Sequence, residues 1–222
     1  MKEEGTPDSV SLKSPNVDCK MNAMNHYTLL AEMFRYPYPG QDALSESWEQ
    51  VVSDYGMEIT QSLSGFISHV RHKPLSVQQE YYISTFDIQA LCYLDIGYVL
   101  YGEDYKRGVF LANLKKEQEI AGNECGSELP DHLPNILTLL PKLSDVKLAE
   151  ELVYSLMIPA LHKMIASFRT NDNVYKETLS ILVKIMETDF PESEFERFNF
   201  LSTNDKVFLK CPMNDEDSPQ HA

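Results

Sequence analysis

Residues 133–156 read LPNILTLLPKLSDVKLAEELVYSL, and their spacing decides the fold class. Ile136, Leu139, Leu140 and Leu143 recur at i, i+3, i+4 and i+7. That period puts all four on one face of a helix, whereas a half-buried strand would alternate every second residue. Leu148, Leu152 and Leu156 carry the pattern on in steps of four. Pro134 falls in the expected first turn, where a missing N–H costs nothing. The same signal flanks this stretch on both sides. Ile59, Leu63, Phe66 and Val70 lie at i, i+4, i+7 and i+11, and Leu179, Leu182, Val183 and Met186 at i, i+3, i+4 and i+7.

Punctuation divides the pattern into elements. Asp104 is placed to cap a helix running to Ala121, with Gly122 to end it. Ser76 and Gln79 have the spacing of a capping box for the helix through Tyr82 and Phe86. Asp131 is expected to cap the helix that opens the quoted stretch. Pro159 lies inside an apolar pattern running from Asp145 to Phe168, which predicts one kinked helix or two. No alternating β-branched run is bounded by hairpin turns, and no repeat of 30 to 45 residues is apparent. The expectation is one all-α domain, a bundle of about seven to nine helices over residues 21–200. Residues 1–20, polar and carrying Pro7 and Pro15, are expected to form a flexible arm, and residues 201–222, with Asp215-Glu216-Asp217, an acidic tail.

Charge narrows the function. Lys plus Arg number 19 and Asp plus Glu 34 in 222 residues, a formal net charge of −15. A nucleic-acid binder or a protein docking on anionic lipid needs a basic face, so this balance favours a basic protein segment as partner. The N-terminus has no apolar h-region, and residues 88–102, broken by Asp95, are too short to span a bilayer. Cys19, Cys92, Cys125 and Cys211 are scattered, with no CxxC, which reads as a cytosolic, reduced chain without a zinc site. Phosphate-loop, dinucleotide, HExxH, GxSxG and di-iron ExxH signatures are all absent. His69 and His72, at i and i+3, lack an adjacent carboxylate and read as a solvated helix end rather than a metal site; Glu117 and Glu119 read as a solvated face.

Two segments rise above this background: residues 80–87, EYYISTFD, followed by residues 101–108, YGEDYKRG; and residues 128–134, ELPDHLP. In the second, two prolines stiffen a turn between helices and set an acid beside an imidazole. The string STFDIQALCYLDIGYVLYGEDYKRGVFLANLK, together with ELPDHLPNILTLL, resembles the delta-subunit assembly chaperones of respiratory nitrate reductase. These belong to the wider group of cytoplasmic chaperones dedicated to molybdenum enzymes (the NarJ, TorD and DmsD group). Residues 29–37, LLAEMFRYP, resemble that family's opening helix, which runs out at a Tyr-Pro. The matching motifs cover residues 27–40 and 80–143.

The resemblance implies an all-helical, non-enzymatic protein. Its partner would be the catalytic subunit of a molybdoenzyme, held by its N-terminal segment until the molybdenum cofactor is inserted. Where that client carries a twin-arginine signal, export would be delayed. The Pro-Asp-His turn is implicated in peptide binding in the family and matches Pro130, Asp131 and His132. Glu128 takes the acidic position just upstream. Tyr82, Phe86 and Asp87 lie in a matching motif, with core aromatics and a helix-end cap as their other reading. The resemblance implies a cytoplasmic protein with no cofactor bound permanently, only transient contact with the client's molybdenum cofactor. An apolar groove left empty favours dimerisation, so the expected state is a monomer in exchange with a dimer. Asp131 is expected to pair with a client arginine, and His132 to titrate or donate to a client carbonyl. A small all-α enzyme using Asp131, His132 and Glu128 for acid–base chemistry, and a permanent structural subunit of the reductase, are the alternatives from other classes.

Overall fold

The computed structural model describes residues 24–88 and 90–201. The expected arm, the expected tail beyond Leu201, and Cys19 and Cys211 lie outside the described residues. Within them every element is helical. Helix α1 is His26–Ala31, continued by a 3-10 turn at Glu32–Phe34. A second 3-10 turn, Gln41–Leu44, leads into α2, Ser45–Ser53; then follow α3, Met57–His72, α4, Leu75–Phe86, α5, Ile96–Tyr101, and α6, Tyr105–Ile120. Helix α7 is Leu133–Leu139 with a 3-10 extension Leu140–Lys142. Helix α8, Val146–Glu150, passes through a π-helical stretch, Glu151–Met157, into α9, Ile158–Ser167; α10 is Val174–Asp189. With residues 146–167 taken as one rod, the described residues hold nine helices, in the all-α class that the spacing predicts.

Helix α7 is the centre of the bundle. All seven of its residues are buried, and its two polar side chains, Asn135 and Thr138, are hydrogen-bonded, as buried polar groups must be. Helix α1 packs on it, burying Tyr27, Leu30 and Ala31. Trp48 of α2 is fully buried and donates its indole N–H to the Leu29 carbonyl at 2.9 Å. On the other side α3 packs against α10, where Phe66 meets Tyr175 at 5.9 Å between ring centroids. The four apolar faces read from spacing all face this core, with Ile59 and Leu148 at its margin.

The caps divide into one success and two corrections. Asp104 caps α6, its side chain accepting from the Lys106 N–H at 2.9 Å, and Gly122 takes φ +59 just beyond the helix end. The Ser76–Gln79 capping box does not form. Helix α4 starts at Leu75 behind Pro74, without a side-chain cap, and Gln79 instead donates to the Pro37 carbonyl at 2.9 Å. Asp131 does not cap α7 either. The N-cap residue is His132, again without a side-chain bond, because the Asp131 carboxylate is turned to the Gly97 N–H of α5 at 3.0 Å.

Pro159 sits in one continuous rod, and the π stretch just before it widens the helix. The carbonyl four residues back, Ser155, accepts the Phe198 N–H at 2.8 Å, which supplies a donor where proline has none. The solvated helix end expected at His69 and His72 holds at His72 and is corrected at His69. His69 is buried against the Tyr81 ring at 4.9 Å, and desolvation lowers its pKa. His72 is exposed, with Nδ1 on the Ser68 carbonyl at 3.1 Å. No group of three or more metal-ligating side chains occurs among the described residues.

Candidate functional site: an acidic aromatic groove

Pro37 ends the opening helical segment, because a residue ahead of proline is driven out of the α region. Arg35 is already extended, at φ −78 and ψ 153. The chain that follows leaves Tyr36 and Tyr38 exposed, 47% and 37% respectively. Tyr36 stands edge-on to Tyr82 at 5.6 Å, and Tyr82 edge-on to Phe86 at 5.0 Å. The Tyr82 hydroxyl is spent inward, donating to the Phe34 carbonyl at 3.0 Å. These rings form one wall of a groove of about 740 Å³, completed by Asp87, Asp95, Glu128 and His132 among others.

The opposite wall is set by backbone pairing. The Ile96 N–H donates to the Asp131 carbonyl and the Leu133 N–H to the Leu94 carbonyl, both at 2.9 Å. This isolated antiparallel bridge, Asp95 opposite His132, fastens the entry to α5 against the turn before α7. The turn itself is held by amide side chains. Asn135 Nδ2 donates to the Cys125 and Leu129 carbonyls at 3.2 and 2.9 Å. Gln118 Nε2 donates to the Pro130 carbonyl at 3.2 Å, and Asn123 Nδ2 to the Asn135 carbonyl at 3.1 Å. A turn carrying two prolines is short of its own N–H donors, so these amides meet its carbonyls. Asn135→Ala removes two of these bonds and leaves the Cys125 and Leu129 carbonyls only the backbone N–H groups of Glu128 and His132, and we expect a loss of about 2–3 kcal/mol from the two hydrogen bonds. A thermal melt of that variant should fall by roughly 4–10 °C; an unchanged melt would mean that the network does not hold the turn.

Of the sequence-predicted residues, Tyr82, Phe86, Asp87, Glu128 and His132 line the groove, while Pro130 and Asp131 do not. Asp131 is fully buried. Its Oδ2 lies 3.8 Å from Arg107 Nε, and Arg107 Nη2 lies 3.6 Å from Asp95 Oδ2. His132 Nδ1 in turn meets Asp95 Oδ1 at 3.3 Å. The chain Asp131–Arg107–Asp95–His132 therefore runs from the interior to the groove surface. The expected pairing of Asp131 with a client arginine is corrected: the arginine it meets is the protein's own Arg107. The acid–base set of Asp131, His132 and Glu128 is not assembled as such, since His132 partners Asp95 and Asp131 faces inward.

Burial, and then the neighbouring Asp95 charge, push the Asp131 carboxyl up to about 6, against the pull of Arg107 and the Gly97 N–H. A carboxyl with a raised folded pKa favours its protonated form in the folded state. The unfavourable contribution is thus full above pH 6 and fades as pH falls from 6 towards 4. Asp131→Asn keeps an acceptor for Gly97 and carries no charge. Relative to wild type, its melting temperature should rise by several degrees between pH 4.5 and pH 7.5. A difference that stays flat or falls over that interval would exclude a raised Asp131 pKa.

Sequence reasoning missed Asp95, Arg107, Arg35, Tyr36 and Tyr38. The signal for the tyrosines was present: a Tyr-Pro break with exposed aromatic residues on both sides of the proline. No linear signal joins Asp95 to His132, 37 residues apart. The field in the groove is negative. Arg35, the cation on its rim, has its Nε on Glu32 Oε1 at 2.6 Å, and Glu32 also accepts the Tyr38 hydroxyl at 2.8 Å. Burial first, then Glu128, Asp87 and Asp95, hold the Tyr82 phenol above its ordinary range, so all three carboxylates are felt at that ring. Aromatic faces beside carboxylates attract a cation followed by apolar side chains.

No family model matches the chain. The chain is similar to a protein of Bacillus subtilis (strain 168) named "Probable nitrate reductase molybdenum cofactor assembly chaperone NarJ". The two are 24% identical over 163 residues, covering 72% of this chain and 88% of that one. This agrees with the resemblance carried by residues 80–143 and with the all-helical bundle. The chain is thus similar in sequence to an assembly chaperone and is all-helical among the described residues.

Proposed function

We propose that this protein is a dedicated, non-enzymatic assembly chaperone for a molybdenum-containing respiratory oxidoreductase of the nitrate reductase kind. It holds the N-terminal segment of the catalytic subunit in the groove while the cofactor is inserted and the complex assembled in the cytoplasm. Where that segment is a twin-arginine signal, occupancy of the groove delays export. The observation that carries this reading is the groove itself: the Asp87, Asp95 and Glu128 carboxylates facing the Tyr36–Tyr82–Phe86 rings. A segment that is basic and then apolar satisfies both halves of that lining. Among the described residues no helix is long and apolar enough to cross a membrane. The molybdenum cofactor belongs to the client, and any contact with it is transient.

A tagged chain recovered from anaerobically grown native cells should bring down one large molybdenum-enzyme catalytic subunit, identified by mass spectrometry. Tyr36→Ala, at an exposed ring of the groove, should lower that recovery several-fold without changing the melt. If no such subunit is recovered while the enzyme is expressed, the chaperone reading fails. Stoichiometric presence in the purified mature enzyme would favour a permanent subunit instead.

A further inference from the structure

The second feature of note lies away from the groove, where residues 190–201 cross the π-helical rod without regular structure. Ion pairs tie this strap at its surface, Glu194 Oε1 to Lys147 Nζ at 2.7 Å and Arg197 Nη1 to Glu187 Oε1 at 3.6 Å. The Phe198 N–H caps the Ser155 carbonyl at 2.8 Å, and the Phe198 ring stands edge-on to Tyr101 at 5.4 Å. The Arg197 guanidinium lies over the Tyr154 ring at 4.7 Å, and Lys163 Nζ over the Phe200 ring at 4.4 Å. The seat beneath thus reads a cation, then an aromatic residue, and takes one main-chain donor into a helix carbonyl that Pro159 leaves open.

The strap is a poor match for that seat. Tyr101 and Ser155, the two residues that receive Phe198, each bury a hydroxyl with no hydrogen-bond partner. Buried hydroxyls are nearly always paired, and an unpaired one is a standing cost. Phe190, Ser193, Phe195 and Phe198 are half-buried and the remaining residues of the strap are exposed, which is the character of a segment that opens locally at lower free energy than the core. π-Helical insertions also concentrate at functional sites.

We propose that the Tyr101–Tyr154–Ser155 seat is a second peptide-docking site, for an extended partner segment presenting an arginine followed by an aromatic residue. The strap is its resident competitor in cis. The strap's tether gives it a high effective concentration, so a partner segment enters only where it pairs better with the seat or where the strap is released. This inference does not depend on how the groove is used.

The probe is a labelled synthetic peptide with the sequence of residues 194–201, EFERFNFL, titrated into the full chain and followed by anisotropy. Phe198→Ala in the protein removes the strap's anchor and should tighten peptide binding at least tenfold over wild type. Arg197→Ala, a change at an exposed side chain, should tighten it in the same direction by a smaller factor. A peptide with alanine in place of its central phenylalanine, the counterpart of Phe198, should not bind either variant. A photoreactive phenylalanine at that position should attach near residues 101 and 154–155. Equal affinity of the peptide for the wild type and both variants would overturn the proposal. So would crosslinking to residues 82–95 or 128–134, because that would place the peptide in the groove.

Discussion

Gly97→Ala is expected to destabilise the protein by about 2–3 kcal/mol, the cost of forcing a methyl group into a packed interior. The added Cβ would stand 2.7 Å from Asp131 Oδ2 and 2.8 Å from a ring carbon of Phe110, closer than real contacts allow. Neither neighbour has room to yield. Asp131 is fully buried and bonded to the Gly97 N–H, and Phe110 is fully buried between α5 and the core. Because the Asp95–His132 bridge joins α5 to the turn, displacement of α5 also moves one wall of the groove. The melt should fall by roughly 5–10 °C for a chain of this size, and client-peptide affinity should fall with it at temperatures where the variant is still folded. Gly65→Ala is the control, since a Cβ there meets nothing within 4 Å and an exposed helix interior gains from alanine. Equal melts for the two variants would show that the contact at Gly97 is relieved cheaply.

The helical faces were legible because burial on one side imposes a period of 3.6 whatever the partner is. The run through Ile136, Leu139 and Leu140 needed no tertiary information to be read. Caps were less legible. A carboxylate ahead of a helix has two possible partners, its own amides or something across the fold, and only the first is local. At Asp104 the local partner wins. At Asp131 the Gly97 N–H lies 34 residues upstream and takes the side chain inward. The same distinction divides the site. Tyr82, Phe86 and Asp87 share one helix end, and Glu128 and His132 share one turn, so each group was visible as a motif. What joins them is the antiparallel bridge between residues 94–96 and 131–133, a pairing too short to leave a strand pattern. Asp95 owes its place to that bridge, and Arg107 reaches it from α6, so neither was legible in the sequence. The π stretch was hidden too: Pro159 predicts a disturbance, but its form depends on a donor supplied by Phe198.

Reversing two charges in the groove, Asp87→Lys with Glu128→Lys, is expected to weaken binding of a basic–apolar client peptide about 100-fold, which is roughly 3 kcal/mol. Both side chains are exposed, so neither substitution should disturb folding, and the melt should stay within about 2 °C of wild type. Each change replaces an attraction with a repulsion at the same place, and rim charges act chiefly on encounter. Most of the loss should therefore appear in the association rate. The wild-type rate should fall as salt is raised from 50 to 300 mM, while the rate of the double variant should stay level or rise. Asp131→Asn sharpens the test. It removes a charge of the same sign a short way beneath the groove, but that charge is buried and faces Arg107. Its effect on peptide affinity should be less than threefold. If the double reversal binds as wild type does, the groove is not the client's seat. If Asp131→Asn alone abolishes binding, the buried ionic chain shapes the groove, and the exposed carboxylates are then secondary to it.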